Sequence, residues 1–256
     1  MENNFAVEVE NLVKTFGTFV AVDRIHFQVN KGEIFGFLGP NGAGKSTTIR
    51  MLCGLLMPTS GKGRVAGFDL MKEPEKIKQV IGYMSQKFSL YEELTVLENL
   101  HFFGGIYGLS GSLQKEKEEQ ALKMAGLTEH RDRMTRTLAV GWKQRLALGC
   151  AILHEPSILF LDEPTSGVDP ITRRSFWDFT RQLAAEGTTI FVTTHYMDEA
   201  ENCRRIAMIF NGRILACDTP AGLKQAITGD LPNAGLQEVF VRLMRSSAGN
   251  QQAVAS

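Results

Sequence analysis

The chain has 256 residues, 43% of them hydrophobic and 22% charged, with 28 basic and 28 acidic side chains cancelling to zero net charge. That composition fits one large globular unit or two small ones, and it excludes attachment to nucleic acid or anionic lipid through a global field. The 4 cysteines, Cys53, Cys150, Cys203 and Cys217, are scattered with no C-x-x-C pair, which argues against a zinc site or a disulfide framework. The N-terminal residues show no basic-then-apolar leader, and no window approaches about eighteen consecutive apolar residues. A soluble chain is expected, with any membrane role carried by a partner.

Phe5 to Leu12 and Ile25 to Val29 alternate apolar and polar residues, which predicts half-exposed strands joined by a turn around Gly17. Glu33 to Leu38 then reads as a buried strand and Thr47 to Leu52 as the first turns of a helix. Between them stands Gly39-Pro40-Asn41-Gly42-Ala43-Gly44-Lys45-Ser46, a complete G-x-x-x-x-G-K-S phosphate loop in its strand, loop, helix context. Its glycines let backbone N–H groups curl round anionic phosphates, the helix N-terminus adds positive partial charge, and Lys45 reaches the β and γ phosphates. Ser46 offers a hydroxyl to Mg²⁺. The pattern implies a bound nucleoside triphosphate.

Met57-Pro58-Thr59-Ser60-Gly61 breaks the chain before a short strand at Gly63 to Ala66 and a buried one at Ile81 to Met84. From about Leu90 to His154 the period turns helical, through Val96, Leu97, Leu100 and Phe103, then Leu113 to Leu122, then Gln144 to Leu153. This stretch reads as a helical subdomain inserted into an α/β core. The charge run Lys115-Glu116-Lys117-Glu118-Glu119 reads as a solvated helix face.

The core resumes with continuous apolar runs at Ser157 to Leu161 and Thr189 to Thr194, separated by a helix over Arg173 to Ala185. That alternation predicts a mostly parallel sheet with right-handed crossovers. Ile206 to Phe210, Asn211-Gly212 and Arg213 to Ala216 predict a hairpin. Ligands of parallel sheets sit at the carboxyl ends of the strands, so Asp162 and Glu163 should face the phosphates. Asp162 is placed to hold Mg²⁺ and Glu163 to polarise an attacking water.

Gly39 to Thr47, Gln86, Leu138 to Arg145, Ile158 to Pro164, Ser166 to Asp169 and His195 stand in the order of an ATP-binding cassette (ABC) protein, and the chain resembles the nucleotide-binding subunit of an ABC transporter. The resemblance covers nearly the whole chain. It implies a P-loop NTPase (RecA-like) fold with a mostly parallel sheet, an antiparallel β subdomain and the inserted helical subdomain. The implied division is one nucleotide-binding domain over 1–248, with core 1–88 and 155–218, helical subdomain 89–154 and C-terminal extension 219–248, followed by a disordered tail over 249–256. It also implies ATP and Mg²⁺ as ligands, with Gln86 as the Q-loop glutamine near the metal together with Ser46 and Asp162. His195 would be the switch histidine, catalytic with Glu163 and Lys45. Asp169 would belong to the loop that crosses the dimer interface. Phe16, with Val20 and Val22 beside it, lies where the family stacks an aromatic on adenine, although a core role suits Phe16 almost as well.

The family's signature departs from pattern here. Leu138-Ala139-Val140-Gly141-Trp142 replaces Leu-Ser-Gly-Gly-Gln, or the same run with a Met ending, ahead of a conforming Lys143-Gln144-Arg145. In the family this loop caps the γ-phosphate of the opposite subunit, so Gly141 would act in trans while Ala139 has no hydroxyl to offer. Losing one hydrogen bond to a charged group weakens such a contact by about 1.5 to 3 kcal/mol, so slower turnover with activity retained is expected. Cys150 also stands where the family often has arginine.

The resemblance implies three partners or places for the chain. A second nucleotide-binding subunit, a copy or a paralogue, would complete each site. An integral membrane permease would dock near Gln86, with Phe88, Leu90, Tyr91 and Leu94 as candidates for its groove. The location would be peripheral on the cytoplasmic face of the inner membrane, with no nucleic acid bound. Phe88 to Thr95 and Leu236 to Val241 look most like ABC-2 type exporters, including multidrug efflux systems. Two other readings stay open: a soluble cassette ATPase acting on ribosomes, DNA or a cofactor-assembly complex, and a regulatory ATP-binding module with impaired hydrolysis.

Overall fold

The alternation in the first thirty residues folds as a hairpin of β1 (Phe5–Phe16) and β2 (Phe19–Asn30) in a computed structural model that describes residues 4–228 and 235–254. Both strands run longer than the alternation suggests. Register shifts along the pair, with Asn11 and Arg24 at positive φ, interrupt the period of two without ending the ladder. β3 (Ile34–Leu38) follows, fully buried, and leads through the glycine loop into α1 (Lys45–Leu52). β4 (Ser60–Val65), β5 (Phe68–Asp69), α2 (Pro74–Val80) and β6 (Ile81–Met84) come next. Sequence periodicity gave no sign of α2, because only Ile77 of its 7 residues is buried; Pro74 at its first turn starts it.

The middle of the chain forms α3 (Val96–Ile106), α4 (Gly111–Met124) and α5 (Val140–Ile152). Thr95 and Glu98 close a capping box at the start of α3. Val96, Leu100, Leu122, Leu127, Leu146 and Leu153 bury one another in a cluster separate from the core of the sheets. The α4 charge run is mostly solvated, as expected, except that Glu118 is buried and lies 2.9 Å from His101 Nδ1.

After these helices come β7 (Ile158–Asp162), α6 (Pro170–Ala185), β8 (Thr189–Thr194), the single turn α7 (Met197–Ala200), β9 (Arg205–Phe210), β10 (Arg213–Asp218), α8 (Pro220–Thr228) and α9 (Leu236–Val254). β3, β7 and β8 are buried throughout, as expected of parallel strands covered on both faces. The larger sheet has the order β10-β9-β3-β8-β7-β6, parallel except for β10, and the smaller has the order β2-β1-β4-β5. Phe27 packs against Phe35, Phe37 and Phe191 with ring centroids 5.5 to 6.0 Å apart, joining the two sheets through one aromatic layer. This is the α/β P-loop fold the sequence implied.

The tail is a difference. The expected disorder over 249–256 gives way to helix as far as Val254, while 255–256 lie outside the described residues. Leu236, Val239 and Phe240 anchor α9 on the core, and extending a nucleated helix costs far less than starting one.

Candidate functional site

Most of the site hangs from the carboxyl ends of β3, β6, β7 and β8. Gly39 leaves β3 where a Cβ would collide with the Ile209 carbonyl, and Gly44, at φ 104°, approaches the Ala21 carbonyl so closely that a Cβ would sit 2.6 Å from it. Glycine is required at both places. The Asn211-Gly212 turn supports the loop from below, with the Gly212 amide donating to the Ala43 carbonyl at 3.0 Å. Ala43 itself is buried.

The loop surrounds its own lysine. Lys45 Nζ donates to the carbonyls of Gly39 at 2.8 Å and Pro40 at 3.0 Å, and it lies 3.0 Å from Glu163 Oε1. The other Glu163 oxygen accepts from Gln86 Nε2 at 3.1 Å. His195 Nδ1 stands 3.2 Å from that same oxygen, within ion-pair reach but off the direction of a hydrogen bond. Lys45, Gln86 and His195, which lie far apart in the chain, thus converge on one carboxylate. Glu163 has a φ of 49°, a left-handed conformation that a glutamate adopts at a cost of about 1–3 kcal/mol and that recurs at functional sites. Thr193 holds that backbone, its carbonyl and hydroxyl both accepting from the Glu163 amide.

Asp162 faces the helix side of the same site. One of its oxygens accepts from Ser46 Oγ at 3.0 Å and from Thr193 Oγ1 at 2.7 Å. Burial pushes its carboxyl above the usual aspartate range, because removing the charged form from water outweighs those two hydrogen bonds. Among the described residues no group of three or more His, Cys, Asp and Glu side chains is arranged to hold a metal alone. A hydroxyl and one carboxylate instead make the sparse oxygen set that suits Mg²⁺ when phosphate oxygens and waters complete the shell.

Above these groups opens a cavity of about 400 Å³. Asn41, Gly42, Gly44, Lys45, Ser46 and Thr47 line it from the loop and α1, Gln86 and Glu163 from the sheet, and Phe19 and Ala21 from the hairpin. The last two were not foreseen. Phe16 and Phe19 are register partners across the turn, so the sequence could not tell which aromatic faces the loop. It is Phe19 that lines the cavity, while Phe16 packs beneath Lys14 Nζ at 5.1 Å from its ring centre. Val22, expected beside the base, is fully buried in the core between the sheets and does not reach the cavity.

Asp169 and Gly141 also lie outside the cavity. Asp169 caps α6, accepting from the Ile171 and Thr172 amides at 3.0 Å and from Thr172 Oγ1 at 2.6 Å, bonds that hold its carboxyl below the usual range. Gly141 lies in the first turn of α5, where a Cβ would press to 2.9 Å from Thr172 Cγ2. Ala139 is the N-cap of that helix and gives it no side-chain hydrogen bond. Trp142, in place of the family's glutamine, packs edge-on to His130 at 4.6 Å and under Arg145 at 5.1 Å. Of the candidate groove residues, Tyr91 is exposed and packs edge-on to Phe102 at 4.5 Å, while Phe88, Leu90 and Leu94 are half-buried.

The family profile described as "ABC transporter" matches residues 22–166, more than half of the chain. The chain belongs to the ABC transporter family. This ABC domain is 51% identical over 239 residues to the probable multidrug ABC transporter ATP-binding protein YbhF of Escherichia coli K12, covering 93% of this chain and 41% of that protein. It therefore spans about two fifths of that relative's length. It is 41% identical to the linearmycin resistance ATP-binding protein LnrL of Bacillus subtilis, over 94% of this chain and 79% of that protein. Among solved structures, the dimeric post-hydrolysis ATP-binding cassette MJ0796 bound to ADP and Pi superposes with a TM-score of 0.76 at 26% identity, covering 83% of this chain and 98% of that one. As an ABC cassette the domain binds nucleotide. Among the described residues no helix is long and apolar enough to cross a membrane.

Proposed function

We propose that this chain is the ATP-binding and hydrolysing subunit that powers a separate ABC-2 type membrane permease, exporting drugs or other amphipathic molecules. The observation that carries the reading is the convergence of Lys45, Gln86 and His195 on the Glu163 carboxylate beneath a phosphate loop. Loop amides and the α1 N-terminus receive the phosphates, Lys45 turns from Glu163 and the loop carbonyls to the β and γ oxygens, and Phe19 stacks on the base. Glu163, freed of the lysine, takes a proton from the attacking water, with Gln86 orienting that water and His195 contacting the γ-phosphate. Ser46 and Asp162, with Gln86 nearby, would hold Mg²⁺, which would supply positive charge to offset that of the transferring phosphoryl group. The second half of the site is the signature loop of another subunit, a copy or a paralogue, with Gly141 supplying its backbone. The permease places the chain at the cytoplasmic face of the inner membrane, and the helical subdomain with its separate core is the body that contacts it. The zero net charge supports the absence of a nucleic-acid partner.

Phosphate release by the purified chain tests this reading. The wild type should turn over, and Glu163→Gln, which removes the general base, should lower kcat by about 10²- to 10⁴-fold. A second reading has one observation in its favour: Ala139 lacks the hydroxyl the family places at the γ-phosphate. A regulatory module of that kind would release no phosphate, and Glu163→Gln would change nothing. Recovery from detergent extract with a polytopic membrane protein supports export, whereas recovery with ribosomes alone contradicts it.

A further inference from the structure

Glu199 stands four residues beyond His195, in α7, and is 2% exposed. One of its oxygens accepts from the Thr165 hydroxyl and lies 3.2 Å from Arg173 Nε. The other accepts from the Thr194 hydroxyl at 2.7 Å. Thr165 follows Glu163 by two residues, and Thr194 immediately precedes His195. A single buried carboxylate therefore grips the loop after β7 and the end of β8 at once, each within two residues of a group in the site. The grip extends further: Thr194 Oγ1 accepts from the Tyr196 amide at 3.0 Å, and the Arg173 guanidinium lies 4.6 Å from the Tyr196 ring centre. His195 is thus flanked on both sides by residues tied to Glu199.

Packing alone does not call for this carboxylate. Burial raises its pKa despite both threonine bonds, so the charged form is disfavoured where it sits. Replacing a buried ionic cluster with apolar residues of similar volume is often neutral or stabilising. What an apolar filling could not supply is two directed bonds, one to the loop after β7 and one to the end of β8.

We infer that Glu199 is a positioning residue, a buried clamp that fixes the spacing of the Glu163 carboxylate and the His195 imidazole by holding Thr165 and Thr194 on its two oxygens. This rests on the hydrolytic reading above. Arg173 brings the first turn of α6, whose N-cap is Asp169, into the same clamp.

The test uses the full chain and compares wild type with Glu199→Gln, Thr165→Val, Thr194→Val and the double threonine variant. ATP turnover, KM, affinity for a fluorescent ATP analogue and melting temperature are measured for each. Misplacement of reacting groups by a fraction of an ångström lowers kcat by about tenfold or more. The expected result is that loss in Glu199→Gln and in each single threonine variant, with KM and analogue affinity within about twofold of wild type. The double variant should be no slower than the slower single, because both hydroxyls act through one carboxylate. The inference is overturned if a folded Glu199→Gln chain keeps its kcat, if kcat and analogue affinity fall together, or if the single effects multiply in the double variant. Should Glu199→Gln fail to fold, the threonine variants decide by the same criteria. A wild type without turnover overturns the hydrolytic reading and this inference with it, whereas an active wild type with an unaffected Glu199→Gln overturns this inference alone.

Discussion

At the scale of single residues, the site trades stability for chemistry at Asp162. Its native carboxyl holds a proton more tightly than the unfolded chain does, because burial disfavours the charge. The native state therefore binds more protons through the window between the ordinary aspartate value and the raised native one, and stability falls as pH rises through it. Asp162→Asn, which keeps the shape without the charge, should raise the melting temperature of the nucleotide-free chain at pH 7 while abolishing turnover. The gain should vanish at acid pH, where both residues are neutral; a gain independent of pH would contradict this account of Asp162. Phe19 offers a second test at this scale. Base stacking contributes about 1–3 kcal/mol, so Phe19→Ala should weaken ATP binding by about tenfold in a nucleotide titration, while Phe16→Ala leaves it nearly unchanged. The reverse order would show that the hairpin turns its other aromatic to the base. Here the sequence pointed to Phe16 and missed Phe19: the phosphate loop could be read from spacing, but which side of a bulged strand faces it depends on register shifts that residue types do not encode.

At the scale of elements, α5 shows what a departure from family pattern does locally. Its N-cap, Ala139, leaves first-turn amides without a side-chain acceptor, and Val140 behind it is 50% exposed. Ala139→Ser should supply a cap of about 1 kcal/mol and raise the melting temperature even without nucleotide. Adding Val140→Gly should then speed ATP turnover through the contact with the opposite subunit. A thermal gain with no faster turnover would confine the effect to the helix end. Elements with a continuous apolar run were legible: the buried strands β3, β7 and β8 stand at their expected positions within a residue or two. Elements held by a single buried residue, such as α2, were not, because their helical state comes from what they pack against. The α9 continuation to Val254 was missed for a related reason: propensity describes a segment alone, and the anchored first turns carry the rest.

At the scale of the whole molecule, the proposed function makes the cavity half a site. Asp169, Gly141 and the exposed Val140 lie outside it, although all three belong to the segments that the family resemblance assigns to the subunit contact. Family and fold could be read from the chain because six short segments keep their order along it. The partner could not, since a complementary surface carries no motif of its own, and the balanced charge gives no direction to an encounter. The central claim is that two such halves close around ATP and that Glu163 reopens them by hydrolysis. Size-exclusion chromatography of Glu163→Gln with ATP and Mg²⁺ tests it most directly. The variant should elute as a dimer retaining ATP, while wild type under the same conditions returns to monomer as ATP is consumed. A Glu163→Gln chain that stays monomeric with ATP bound would contradict the account.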